Sequence, residues 1–146
     1  MRGYVQLASF NNLYDYDLDI FKIKLQIVLS TKKGIRIDFI HVPHLAPSSN
    51  LYRNAMYKWK KLKFSKEEEE KMSKGKTGTW FDLYEERFIE DSKVRNDFKR
   101  AYNRLKEHLE EGRNIILVCY CEDVYRCHRR IIGDMLVKEG YDVRYE

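Results

Sequence analysis

The sequence predicts a single small α/β domain, a mostly parallel sheet flanked by helices and closing with a C-terminal βαβ unit. Three observations predict it. Short runs of strand period alternate along the chain with segments of helical period. Asn114 to Cys121 is a continuous apolar run, as a central strand covered on both faces requires. An amphipathic segment and a last strand then follow it, which sets those two strands parallel with a right-handed crossover.

Taken in order, Tyr4 to Phe10 reads as a short strand, with a turn-rich or short helical piece from Asn11 to Asp19. Phe21, Ile23, Leu25, Ile27 and Leu29 alternate with other residues, so Phe21 to Ser30 reads as a second strand. Lys33-Gly34 reads as a turn, and Ile35 to Val42 as a third strand limited by Pro43. Ser48, Ser49 and Asn50 are candidate caps for a basic helix from Leu51 to Phe64, and Ser65-Lys66-Glu67-Glu68 opens another helix with acids in its first turn. Residues 73–79 form a glycine-bearing connector. Trp80 to Ile89 puts Phe81, Tyr84 and Phe88 on one helical face. Ser92 then caps a longer helix whose apolar positions are Val94, Phe98, Ala101, Tyr102, Leu105 and Leu109, and Gly112 ends it. After Asn114 to Cys121 comes a helix from His128 to Glu139, stopped by Gly140, and a strand from Tyr141 to Tyr145.

The bulk numbers bound the function classes. At 146 residues the chain fits one domain able to bury a core without disulfide staples. A hydrophobic share of 43% excludes a disordered chain. No apolar run is long enough to span a membrane, and the first residues lack the apolar core of a signal peptide, so no membrane association and a cytoplasmic location are expected. Charge is uneven: residues 51–76 hold nine Lys/Arg against four Glu, which accounts for the whole net charge of +5. With Tyr52, Tyr57, Trp59 and Phe64 interleaved, this stretch is a candidate nucleic-acid surface; its competing reading is an amphipathic helix with aromatics inward and lysines in water.

All three cysteines fall in one loop, Cys119, Cys121 and Cys127, at spacings too short for a disulfide framework. The helix that starts near Cys127 carries unpaired N–H groups and partial positive charge at its first turn, and Arg126, His128, Arg129 and Arg130 crowd the same place. A thiol there is expected to ionise early, which makes Cys127 the candidate nucleophile, His128 the general acid/base and Arg129 the clamp for an anion. Arg126 and Arg130 are candidate anion contacts beside it. Two other routes stay open. The Cys121-to-Arg126 spacing resembles the active loop of rhodanese-type sulfurtransferases, although Glu122 and Asp123 stand where a smooth anion cradle would have glycine. Four soft or borderline ligands (Cys119, Cys121, Cys127, His128) offer a structural metal site, although their spacing is not a usual zinc pattern, and no metal or cofactor is assigned. Cys119 also reads as a small buried hydrophobe.

The segment Ile116 to Arg129, with Leu-Val-Cys-Tyr ending a strand and Cys-His-Arg eight residues after Cys119, resembles the carboxyl-terminal signature of the domain of unknown function 488 family. Leu45-Ala46-Pro47-Ser48 and the aromatics from Trp80 to Phe88 match further pieces in order. The resemblance implies a compact α/β domain whose recurrent polar residues point to an enzyme, and it singles out Cys119, Cys127, His128, Arg129 and Ser48. One departure stands out: where the family commonly has an acidic residue two after the first cysteine, this chain has Cys121, with Glu122 one step later, and one step at a strand end reverses the face.

Ser9, Ser30 and Ser48 follow predicted strands and can line a pocket at the sheet's carboxyl edge or serve as caps. Tyr84 either reaches a ligand or packs in the core. His41 and His44 read as strand-end histidines and His108 as solvated. The functional expectation is an enzyme, a cysteine-dependent hydrolase or transferase, acting on an anionic small molecule such as a nucleotide or phosphorylated compound, with oligomeric state open. Its rivals are a nucleic-acid-binding accessory protein and a structural metal-site protein.

Overall fold

Residues 115–119 pass through the middle of the molecule because none of their side chains needs water. In the computed structural model, which describes residues 1–29, 38–61, 63–121 and 124–145, strand β4 (Ile115–Cys119) is buried at every position. It lies between β2 (Ile23–Gln26) and β1 (Tyr4–Ser9) in a five-stranded sheet of order β3-β2-β4-β1-β5, where β3 is Ile40–His41 and β5 is Asp142–Tyr145. Every pairing is parallel, so the sheet is wholly rather than mostly parallel. The register sets Ser9 beside Cys119 and Gln26 beside Val118, which brings the carboxyl ends of β1, β2 and β4 to one edge.

The pleat sorts β4 into two cores. Ile115, Leu117 and Cys119 join Val5 and Leu7 in the larger cluster, while Ile116 and Val118 meet Ala8, Leu13, Phe21 and Phe39 in the smaller one. The larger face is covered by α3 (Trp80–Val94), α4 (Asn96–Glu110) and α5 (His128–Lys138), with α1 (Ser49–Lys61) and α2 (Lys66–Lys74) packed outside α3. The 3-10 turns at Phe10–Asp15 and Leu18–Ile20 lie beside the smaller cluster through Leu13 and Leu18. Gly133 lets α5 approach the sheet closely: a Cβ there would stand 3.0 Å from Leu7 Cδ1 and 3.2 Å from Val143 Cγ1.

Several boundaries differ from the sequence reading. The strand expected from Phe21 to Ser30 is regular only over Ile23–Gln26, although Ile27 still donates to the Val118 carbonyl at 2.9 Å. The turn at Lys33-Gly34, Ser30 and the start of the third strand lie outside the described residues; among those described, only Ile40–His41 is strand. Ser92 is not a cap. It sits inside α3 with its hydroxyl donating to the Ile89 carbonyl at 2.7 Å, and the break falls instead at Arg95, whose extended backbone separates α3 from α4. Val94, expected inward, is therefore 76% exposed. Ser65 does cap α2, in a reciprocal pair with Glu68. Gly112 and Gly140 do end α4 and α5, at φ +87° and +92°.

Candidate functional site

The site begins where β4 ends. Cys119 closes the strand on the larger-core face, the chain turns through the exposed Cys121 and a 3-10 turn at Val124–Arg126, and Cys127 precedes the first residue of α5. The turn folds the two ends of this loop against each other. Cys119 Sγ and Cys127 Sγ, both buried, lie 2.8 Å apart, and the three sulfurs all lie within 4.8 Å of one another.

Arg129 enters from the first turn of α5 and is wholly buried. Its Nη1 donates to Cys119 Sγ at 2.7 Å and to the Cys121 carbonyl at 2.8 Å, with Cys127 Sγ at 3.6 Å. This guanidinium, expected from the sequence to clamp an anion, faces inward to sulfur, where it favours a sulfur charge and tethers the loop. His128 is buried beside it. Its Nε2 is 2.5 Å from the Ile27 carbonyl, which can only accept, so Nε2 carries the proton and Nδ1 is left as acceptor, 3.7 Å from Cys127 Sγ.

Electrostatics separate the three thiols. The neighbouring thiols of Cys121 and then Cys127 donate toward Cys119, and the Arg129 guanidinium adds positive potential, so despite its burial the Cys119 thiol ionises far below its ordinary range. The same charge pushes Cys121 up to about 11. Burial, followed by the Cys119 charge, pushes Cys127 well above the ordinary thiol value. This is the opposite direction to the early-ionising thiol expected of Cys127. Cys127 occupies the N-cap position of α5, but its side chain makes no capping bond and turns inward to Cys119, away from the helix N–H groups that were to stabilise it. Burial also lowers His128, keeping the imidazole neutral.

The other candidates divide. Tyr84 packs in a row with Trp80, Phe81 and Phe88, as a core residue would, yet its hydroxyl is held protonated by burial and by the three cysteines, so it borders the cluster. Arg130 is turned away. It lies 2.9 Å from both Glu85 and Asp134 and over the Phe81 ring, so it joins α5 to α3 rather than lining the cysteine site. Arg126 is exposed on the loop. Ser48 caps α1 by accepting from Leu51 N at 3.1 Å and donates to Asp91 at 3.3 Å, and neither bond reaches the cysteines. Ser9 likewise caps the 3-10 turn after β1, although its register beside Cys119 puts it at the same sheet edge. His41 Nε2 donates to the Val28 carbonyl at 2.7 Å, and His108 accepts from Arg113 rather than standing in water. Glu122 and Asp123 lie outside the described residues.

Two features were out of reach of sequence reasoning. The Ile27 carbonyl that selects the His128 tautomer lies 101 residues away in the chain. Arg95, which holds the Leu45-Ala46-Pro47 turn by donating to the His44 and Ala46 carbonyls, is one more arginine in a charged helix until the break at residue 95 is known. The Arg130–Asp134 pair, by contrast, follows helical i,i+4 spacing and could have been found. As for metal, zinc at about 2.3 Å per sulfur sets tetrahedral ligand sulfurs about 3.8 Å apart. The three sulfurs lie within 4.8 Å of one another, a spread that suits three donors to one soft ion, with the Cys119–Cys127 pair the closest at 2.8 Å.

Among known proteins, the family model DUF488-N3a, described as the active DUF488-N3 subclade, matches residues 16–140. That span contains every candidate residue of the loop as well as Ser48 and Tyr84. No curated protein and no solved structure matches.

Proposed function

This chain belongs to the DUF488-N3a family, and from that premise we propose that it is a cysteine-dependent enzyme, a hydrolase or transferase acting on an anionic small molecule such as a nucleotide or other phosphorylated compound. The observation that carries the reading is Arg129 Nη1 at 2.7 Å from Cys119 Sγ, a buried guanidinium set against a sulfur at the carboxyl end of the central strand. An arginine in that position favours thiolate over thiol, and the thiolate is the nucleophilic form of cysteine. Cys119 therefore takes the role first expected of Cys127. Neutral His128, with Nδ1 facing Cys127, is the base that receives and returns a proton. Arg126, exposed beside the start of α5, and the first N–H groups of that helix supply the positive potential for the anion. The working compartment is the cytoplasm, where thiols stay reduced; among the described residues no helix is long and apolar enough to cross a membrane.

Ultraviolet thiolate absorbance, followed against pH for the wild type and Cys119→Ser, tests the reading. One thiolate equivalent is expected to persist in the wild type well below the free-thiol pKa of about 8.5 and to vanish in the variant. Added nucleotide is expected to slow alkylation of Cys121, and to do so less in Arg126→Ala. Titration of all three thiols near the free value would overturn it.

A second reading, nucleic-acid binding through residues 51–76, is favoured by one observation. Tyr52 and Tyr57 on basic helix α1 are 46% and 53% exposed, against the expectation that the aromatics turn inward. Such a surface binds single strands with an affinity that falls steeply with salt. The triple variant K58A/K60A/K61A is expected to weaken that binding, and no binding at low salt rejects it.

A further inference from the structure

The mechanism above uses one sulfur of three, and leaves a buried thiol and an exposed thiol on either side of it. Cys119 and Cys127 lie 2.8 Å apart in the core, roughly 0.8 Å beyond the length of a disulfide bond. Cys121, the exposed member, belongs to the same group of sulfurs within 4.8 Å. Arg129 contacts Cys119 Sγ and Cys127 Sγ with one nitrogen, so either sulfur can carry charge there as a leaving group. A base, His128 Nδ1, faces the third thiol at 3.7 Å. These are the parts of a thiol–disulfide exchange site: an accessible sulfur, an ionised partner and a second buried thiol to resolve the product.

We propose that Cys121, Cys119 and Cys127 form an exchange relay whose co-substrate is a small solvent-borne disulfide, with Cys121 as the outer thiol and a Cys119–Cys127 bridge as the oxidised product. The relay rests on the same Cys119 thiolate as the proposed enzyme. Cys121 gives its proton to solvent and attacks the external disulfide, forming a mixed disulfide and expelling a thiolate that takes up a proton from solvent and leaves as a thiol. Cys119 then attacks the Cys121 sulfur, forming a Cys119–Cys121 bridge and expelling the second half of the co-substrate as thiolate. Cys127 gives its proton to His128 Nδ1 and attacks the Cys119 sulfur. Cys121 is released as thiolate and recovers a proton from the imidazolium. Two electrons have moved from the Cys119–Cys127 pair to the external disulfide, which is reduced to one thiol and one thiolate. The bridge consumes the thiolate, so the oxidised protein has none to offer the proposed substrate.

The test uses the reduced full-length protein with glutathione disulfide as probe, read by thiol titration and by peptide mass mapping. Three free thiols are expected to fall to one, with Cys119 and Cys127 joined. Cys121→Ser is expected to form the same bridge at least about tenfold more slowly, because the disulfide then has no exposed thiol to meet. Cys127→Ser is expected to stop at a Cys119–Cys121 bridge. Persistence of three thiols in the wild type overturns the relay, as does a glutathione adduct on Cys121 without an internal bridge. Protection of all three thiols that a chelator lifts also overturns it, in favour of a metal site. Failure here with a low-pH thiolate still present in the absorbance titration would leave the enzyme reading intact, and loss of that thiolate would remove both.

Discussion

Arg130 shows how much a side chain's role depends on which way it leaves its helix. Its neighbour Arg129 turns inward to Cys119 Sγ, while Arg130 meets Glu85 and Asp134, each at 2.9 Å. Both acids are partly solvated, at 12% and 29% side-chain exposure, so the pairing is worth less than a fully buried triad. Arg130→Met is expected to lower unfolding free energy by about 1–3 kcal/mol, measured by urea denaturation, and to leave Cys121 alkylation and its slowing by nucleotide unchanged. Loss of the nucleotide effect with stability intact would return Arg130 to the ligand. The sequence marks 126–130 as a cluster of reactive groups, and the fold does gather Cys127, His128 and Arg129 at one place. It does not say which sulfur holds the charge, because that depends on a guanidinium reaching back across the loop to residue 119.

At the scale of elements, β4 and α5 were legible because each carries one unbroken physical signal. Five consecutive apolar residues ahead of a loop read as a strand buried on both faces, and an apolar stripe ending in glycine reads as a helix with a left-handed stop. The α3–α4 break was not legible. Both sides of it carry helical period, and Ser92 looks like a cap until its hydroxyl is found bonded to its own helix at Ile89. Gly133 is a third case, with a role only the packing shows. A larger side chain there has nowhere to go, since even a Cβ stands 3.0 Å from Leu7 and 3.2 Å from Val143. Gly133→Leu is expected to cost about 1–3 kcal/mol through overpacking and to push α5 off the sheet. Because α5 carries Arg129 and His128, the same variant is expected to raise the apparent pKa of Cys119 in the thiolate absorbance titration. Unchanged stability and titration would mean that the helix is not held by this contact.

For the whole molecule, parallel strands and the α/β class follow from the alternation of strand and helix, but the order β3-β2-β4-β1-β5 does not, since no local pattern says that β1 lies between β4 and β5. That order puts the Ile27 carbonyl over α5 and so buries His128 as a neutral donor, which gives global stability a pH dependence. Burial lowers the folded pKa of His128 below its ordinary value of 6.5. Above that value the imidazole is neutral in both states and contributes no pH dependence. As pH falls through 6.5 the unfolded chain takes up a proton that the folded state refuses, so stability declines, by at most about 1.4 kcal/mol per pH unit, until the folded pKa is reached. Carboxylates do not confuse this window, because Asp97 and Glu139 are also lowered, from 3.8 and 4.5, and lose their contributions only at more acid pH. His108, lowered mainly by burial, and Cys119, an anion in the folded state but a protonated thiol in the unfolded chain, act in the same direction as His128 and are present in both proteins compared. Urea denaturation at steps between about pH 7 and pH 5 is therefore expected to show falling stability in the wild type and a shallower fall in His128→Asn, which has no group to protonate. Equal slopes in the two proteins would mean that the imidazole is protonated in the folded state, and with it that Nδ1 is not the base facing Cys127.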